Sequence, residues 1–183
     1  MKNIFILGIA RAGKTTTASK IANEFTNYKI IPLDIIINAY QNTFNDKRIG
    51  YSKEHLSDNK LALLVLNIIN EFDKDVSFIV EGDSILPEEY HQYFDQENNM
   101  CFFLTNTKSP NQKIEDCRQY DTKKDWSFHL SDQELLTQFE EDAKIQETII
   151  AQAQKYDYPT IDVCKQREEK LEKEYQKIKK NLS

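Results

Sequence analysis

The sequence predicts an α/β protein with a three-layer, doubly wound parallel sheet. Three observations carry that expectation. Five short apolar runs are mostly continuous rather than alternating, the pattern of strands covered on both faces. Helical periodicities separate these runs, as strand–helix–strand units require. The first run passes through a loop framed by two glycines into a helix, an arrangement found at the carboxyl edge of such sheets.

The elements follow in chain order. "NIFILGI" (3–9) is the first strand, and Ala18, Ile21, Ala22 and Phe25 then repeat at helical spacing. "YKIIPLD" (28–34) is the second strand. Leu56, Leu61, Leu64, Val65, Ile68, Ile69 and Phe72 form a helical stripe ahead of the third, "VSFIVEG" (76–82). "NMCFFLT" (99–105) is the fourth. Leu135, Leu136, Phe139, Ile145, Ile149 and Ile150 mark a long helix before the fifth, "PTIDV" (159–163). Leu171, Tyr175 and Ile178 lie on a charged final helix, too short a pattern for a coiled coil and better read as an exposed amphipathic end.

Length and composition limit the function. The 183 residues fit a single domain, 1–183, and 39% apolar residues suffice for a core. A net charge of −6 and a pI near 5.2 speak against a nucleic-acid binder. Cys101, Cys117 and Cys164 are widely spaced, and His55, His91 and His129 complete no ligand pattern. The cysteines therefore read as reduced thiols of a cytoplasmic protein rather than zinc ligands. The opening apolar run is too short to cross a membrane.

Residues 8–15, Gly-Ile-Ala-Arg-Ala-Gly-Lys-Thr, fit G-x-x-x-x-G-K-[ST]. The pattern has a physical purpose. Gly8 and Gly13 permit a sharp turn that points backbone N–H groups at one anion. The following helix aims its positive end at the same place. Lys14 can reach β- and γ-phosphates, and Thr15 can set its hydroxyl on Mg²⁺. Candidate nucleotide contacts are Gly8, Ala10, Arg11, Ala12, Gly13, Lys14, Thr15 and Thr16. Arg11 either folds back on a phosphate or faces solvent.

This loop, a second strand ending in Asp34, a third ending in "EGD", a late helical segment with one arginine and a last strand "TIDV" before a helix resemble the small P-loop kinases. These are the nucleoside-monophosphate kinase and shikimate kinase group, with gluconate and antibiotic phosphotransferase relatives. The resemblance spans nearly the whole chain, although only the glycine–lysine loop is a specific motif. It implies strand order 2-3-1-4-5, a mobile helical lid (about 106–130), an acceptor-binding insert (about 35–60) and transfer of the ATP γ-phosphoryl group.

Asp34, beyond the second strand, can take a proton from the attacking hydroxyl or help to hold Mg²⁺, and it also suits a helix N-cap. Glu81 and Asp83 lie on one side of an extended segment, where one of them can serve Mg²⁺; Asp83 can instead cap the helix at "PEEYHQYF". The metal candidates are thus Thr15, Glu81 and Asp83. Arg118, the only arginine in the lid segment, can clamp phosphoryl charge, with Lys113, Lys123 and Lys124 as neighbours. The catalytic candidates are Lys14, Asp34 and Arg118. Trp126 reads as local core or as a stacking surface for the acceptor. Cys164, Lys165 and Gln166 occupy the loop that lines the adenine pocket in relatives. Tyr40, Phe44, Lys47, Arg48 and Tyr51 lie where the acceptor should bind, and Arg48 suits an anionic acceptor group.

The expected function is therefore Mg²⁺-dependent transfer from ATP to a small-molecule acceptor, by a monomer or homodimer without nucleic-acid or membrane partners. The alternative is a non-catalytic or regulatory nucleotide-binding protein with a protein partner. A GTPase is disfavoured, since "NTKS" at 106–109 is no guanine-reading Asn-Lys-x-Asp run.

Overall fold

The computed structural model describes residues 2–44, 60–72 and 76–182. The strands are β1 (Asn3–Gly8), β2 (Tyr28–Pro32), β3 (Ser77–Gly82), β4 (Asn99–Thr105) and β5 (Thr160–Asp162). The helices are α1 (Lys14–Glu24), α2 (Leu33–Phe44), α3 (Leu61–Asn70), α4 (Pro87–Tyr93), α5 (Pro110–Tyr120), α6 (Asp132–Lys155) and α7 (Arg167–Leu182). A 3₁₀ turn, Trp126–His129, lies between α5 and α6. Each of the five apolar runs holds one strand. Leu56 of the stripe expected before β3 lies outside the described residues.

All strands are parallel, in the order β2-β3-β1-β4-β5, as the kinase resemblance implied. The register sets Leu7 opposite Gly82, Gly8 opposite Leu104, Pro32 opposite Glu81 and Thr105 opposite Asp162. The carboxyl ends of the strands therefore line one edge. The chain leaves β1 toward β2 in one direction and makes every later crossover in the other. This reversal opens a crevice at the ends of β1 and β3, where such sheets bind ligands.

Burial follows the continuous apolar pattern. Ile4, Phe5, Ile6 and Leu7 of β1 are fully buried, as are Ile79 and Val80 of β3 and Phe103 and Leu104 of β4. Each large side chain buried in this way contributes about 1.5–3 kcal/mol. Helices α1 and α7 pack together on one face, while α3, α4 and α6 pack in sequence on the other. Tyr175 and Ile178 of α7 are buried, so the end helix is amphipathic with its apolar side docked.

A second, smaller core joins Cys117 of α5 to Leu135 and Phe139 of α6. It anchors the segment after β4 to the long helix. Ser109 and Ser131 cap α5 and α6, each in reciprocal bonds with the side chain three residues on, which fixes where both helices begin. Among the described residues, no helix is long and apolar enough to cross a membrane.

Candidate active site

The site grows from the end of β1. Gly8 has φ +126°, and a Cβ there would lie 2.0 Å from the Leu104 carbonyl oxygen. Only glycine lets β1 run this close to β4 and still turn. Ile9 N–H donates to that carbonyl at 3.1 Å. Arg11 takes a left-handed conformation, φ 60°, and Gly13 at φ +96° caps α1 without a side-chain bond. Two left-handed turns within one short loop fold it around the amino end of α1, where the first N–H groups have no helical partner.

Lys14 is 8% exposed, and its Nζ donates to the Ile9 carbonyl at 2.6 Å, so its chain spans the inside of the loop. Burial lowers its pKa, while the surrounding carboxylates Asp83, Glu81, Asp34 and Asp142 oppose that shift. One ammonium thus sits among four carboxylates from three parts of the chain.

Glu81, at the end of β3, is 7% exposed and accepts a hydrogen bond from Thr15 Oγ1 at 3.1 Å. Burial raises its pKa, and the Thr15 bond and Lys14 partly offset this. A hydroxyl and a carboxylate beside phosphate-binding amides are hard oxygen donors and suit Mg²⁺. Among the described residues no three His, Cys, Asp or Glu side chains gather as a metal cluster.

Asp34 lies in the first turn of α2, one residue inside the helix rather than at a strand end or N-cap. A Cβ on Gly82 would fall 2.6 Å from Leu33 Cβ, so glycine at 82 lets α2 start against β3 and brings Asp34 near Asp83. Partial desolvation and Asp83 raise the Asp34 pKa, against Lys14. Asp83 caps nothing: α4 begins after Leu86, whose N–H bonds to Glu89. Asp83 faces the crevice instead.

Two cavities flank the loop. On one side, a cleft of about 310 Å³ is lined by Ile9 and Ala10 of the loop, Asp34 and Ile37 of α2, Asp83, and Asp142 of α6. On the other, a cavity of about 300 Å³ is lined by Gly13, Lys14, Thr15 and Thr16 with Trp126 and Arg167. It shares Arg11 and Arg167 with a neighbouring cavity of about 330 Å³ that reaches Asn106, Val163, Cys164 and Gln166. The latter lies where the resemblance places adenine, although Lys165 is exposed and not part of its lining.

The segment after β4 differs from expectation in three respects. Arg118 does not approach the loop. It is exposed, and its guanidinium bonds to Asp132 and to the Leu130 carbonyl, so it ties α5 to the start of α6. Arg11 takes neither expected course: it ion-pairs with Asp121 and donates to Ser127 Oγ at 2.9 Å. Trp126 is no core residue. It is 47% exposed and borders the cavity beside Lys14. Of the lysines expected to assist, Lys113 is buried with Nζ 5.8 Å from the Phe139 ring centre, and Lys123 and Lys124 are exposed. Lys47, Arg48 and Tyr51 lie outside the described residues, while Tyr40 packs its ring 4.8 Å from that of Phe44.

Three residues escaped the sequence reading: Asp121, Asp142 and Arg167. Asp142 left a visible signal. The buried positions of α6 run Leu135, Phe139, Asp142, Gln146, Ile149, Ala153, so a carboxylate and an amide interrupt an apolar stripe. Arg167 lies on a helix full of charged residues and could not be told from its neighbours.

No protein-family model matches the sequence, and no curated protein does. Solved structures do. Shikimate kinase from Bacteroides thetaiotaomicron matches at 17% identity and TM-score 0.61, over 99% of this chain and 98% of its own. A gluconokinase from Sinorhizobium meliloti matches at 12% identity and TM-score 0.57, over 99% and 95%. Thymidylate kinase from Candida albicans matches at 14% identity and TM-score 0.55, over 98% and 92%. The chain has the fold of the small P-loop kinases from end to end.

Proposed function

We propose that the protein is a phosphotransferase that moves the γ-phosphoryl group of ATP to a hydroxyl of a small-molecule acceptor. One observation carries this reading. The loop Gly8–Gly13 lines two cavities: Ile9 and Ala10 border one with Asp34, Asp83 and Asp142, and Arg11 and Gly13 border the other with Lys14, Thr15 and Thr16. A group passing over Lys14 would move from one cavity to the other.

ATP lies with its base toward Val163 and Gln166 and its phosphates against the loop and the start of α1. Lys14 releases the Ile9 carbonyl and bonds the β- and γ-phosphate oxygens. Arg167, which lines both nucleotide cavities, adds positive charge in the place first assigned to Arg118. Thr15 and Glu81, with Asp83, would hold Mg²⁺, which would supply neutralisation of phosphate charge. Asp34 accepts the acceptor hydroxyl's proton as that oxygen bonds the γ-phosphorus. The bond from this phosphorus to the bridging oxygen then breaks and ADP leaves. Partial burial and the neighbouring Asp83 raise the Asp34 pKa, which makes it a stronger base.

The test is ADP release from ATP–Mg²⁺ across a panel of hydroxylated metabolites. Asp34→Asn should leave nucleotide binding intact and remove acceptor-dependent turnover. Transfer at the wild-type rate in this variant would exclude Asp34 as the base.

A further inference from the structure

Asp142 has a feature the proposed reaction does not explain. It lies on α6, is 7% exposed and borders the cleft with Asp34 and Asp83. Its Oδ1 accepts from Gln138 Nε2 at 3.0 Å. Its Oδ2 is buried and has no hydrogen-bond partner. A buried polar atom without a partner is costly and points to a donor that arrives from elsewhere.

The other polar residue on that buried stripe shows the contrast. Gln146, one turn on, accepts the Asn106 N–H on its Oε1 at 2.7 Å, so its burial is a structural matter. No such bond explains Asp142 Oδ2. Lys14 and Lys113 are near enough to favour its charged form, yet neither donates to Oδ2.

The cleft's charge gives the sign of the missing donor. Among the described residues its lining holds three carboxylates, two amides and a floor of isoleucines, with no lysine, arginine or histidine. A carboxylate or phosphate on the acceptor would find no cationic side chain among these lining residues and would bring Asp142 Oδ2 no donor. A hydroxyl would supply a donor without relieving the charge. An ammonium supplies three donors and relieves it.

We infer that the acceptor is a hydroxylated amine whose ammonium group is bound by Asp142, with Asp83 facing it across the cleft. The inference rests on the phosphotransferase reading only in taking this cleft as the acceptor side. It opposes the expectation that Arg48 binds an anionic group.

Calorimetric titration of the full chain, held in ADP–Mg²⁺, tests it with three ring polyols that differ in charge. These are 2-deoxystreptamine with two ammonium groups, neutral myo-inositol, and quinate with a carboxylate. The diamine should bind about tenfold or more tighter than inositol, and quinate weakest. Asp142→Asn should remove about tenfold of the diamine's affinity and leave that for inositol and ADP unchanged. Equal or tighter binding of quinate, no binding of any ring, or a diamine preference that survives Asp142→Asn would each overturn the inference. ADP affinity and ATP turnover, measured on the same samples, judge the phosphotransferase reading separately.

Discussion

Arg11, in the glycine loop, and Asp121, just past α5, form an ion pair that joins the loop to the segment after β4. The Asp121 side chain is 2% exposed and that of Arg11 25%, and Ser127 bonds to both. A removed arginine would leave a buried carboxylate with one hydroxyl partner. Arg11→Ala should therefore destabilise the protein by about 1–3 kcal/mol. Adding Asp121→Asn should recover part of that loss, because the stranded charge is gone. Urea unfolding of the single and double variants checks this; additive losses would mean that the pair is not coupled.

The same pair bears on nucleotide capture. If the segment with α5 and Trp126 closes over the phosphates, Arg11 is part of what holds it there. Hydrogen exchange at 121–129 should then slow on adding ATP–Mg²⁺ in the wild type. The slowing should be smaller in Arg11→Ala. Equal protection in both proteins would separate Arg11 from closure.

Lys14 should account for most of the nucleotide's effect on stability. A ligand that binds only the folded state raises the melting temperature, by more the higher its concentration stands above Kd. Lys14→Ala should lose most of the shift that ATP–Mg²⁺ produces in the wild type. A full shift in the variant would place the phosphates elsewhere.

Gly8→Ala tests the loop that lines both cavities. The new Cβ would overlap the Leu104 carbonyl in a backbone region that alanine resists. The expected loss is about 3 kcal/mol or more, read by urea denaturation. A loss near zero would show that β1 and β4 can part here, contrary to the tight register of Gly8 with Leu104.

These residues differ in how well the sequence announced them. The strands were legible because each is buried on both faces and so reads as an unbroken apolar run. The glycine loop was legible because its geometry admits few residue types at fixed spacing. Arg118 was misread because being the sole arginine in a segment says nothing about direction: a turn of α5 points it at Asp132 instead of the loop. Asp121 and Arg167 reach the loop and its cavity only on folding, 110 residues from Arg11 to Asp121 along the chain. No local pattern records such distances. Asp142 was legible in principle, as the charged member of an apolar stripe, and was passed over because the stripe was read for its apolar residues alone.

The buried carboxylates give the stability a pH dependence whose sign is determined. Burial raises the pKa of both Glu81 and Asp142 above their ordinary values of 4.5 and 3.8. Between those values and the raised ones, the folded protein keeps protons that the unfolded chain has released. Stability then falls as pH rises through that window, since it follows the protons bound by the unfolded state minus those bound by the folded one. Asp162 acts lower down. Burial would raise its pKa, but bonds from Cys164 and Thr107 hold it at about 2; its stabilisation is lost only as pH falls from its ordinary value toward 2. Asp142→Asn removes one raised carboxylate and keeps the shape. The variant should be more stable than the wild type at pH 7.5, by a margin that shrinks toward pH 4.5. Urea midpoints for both proteins across that range measure the margin; one that stays constant with pH would mean that Asp142 does not titrate in the folded protein as its burial requires.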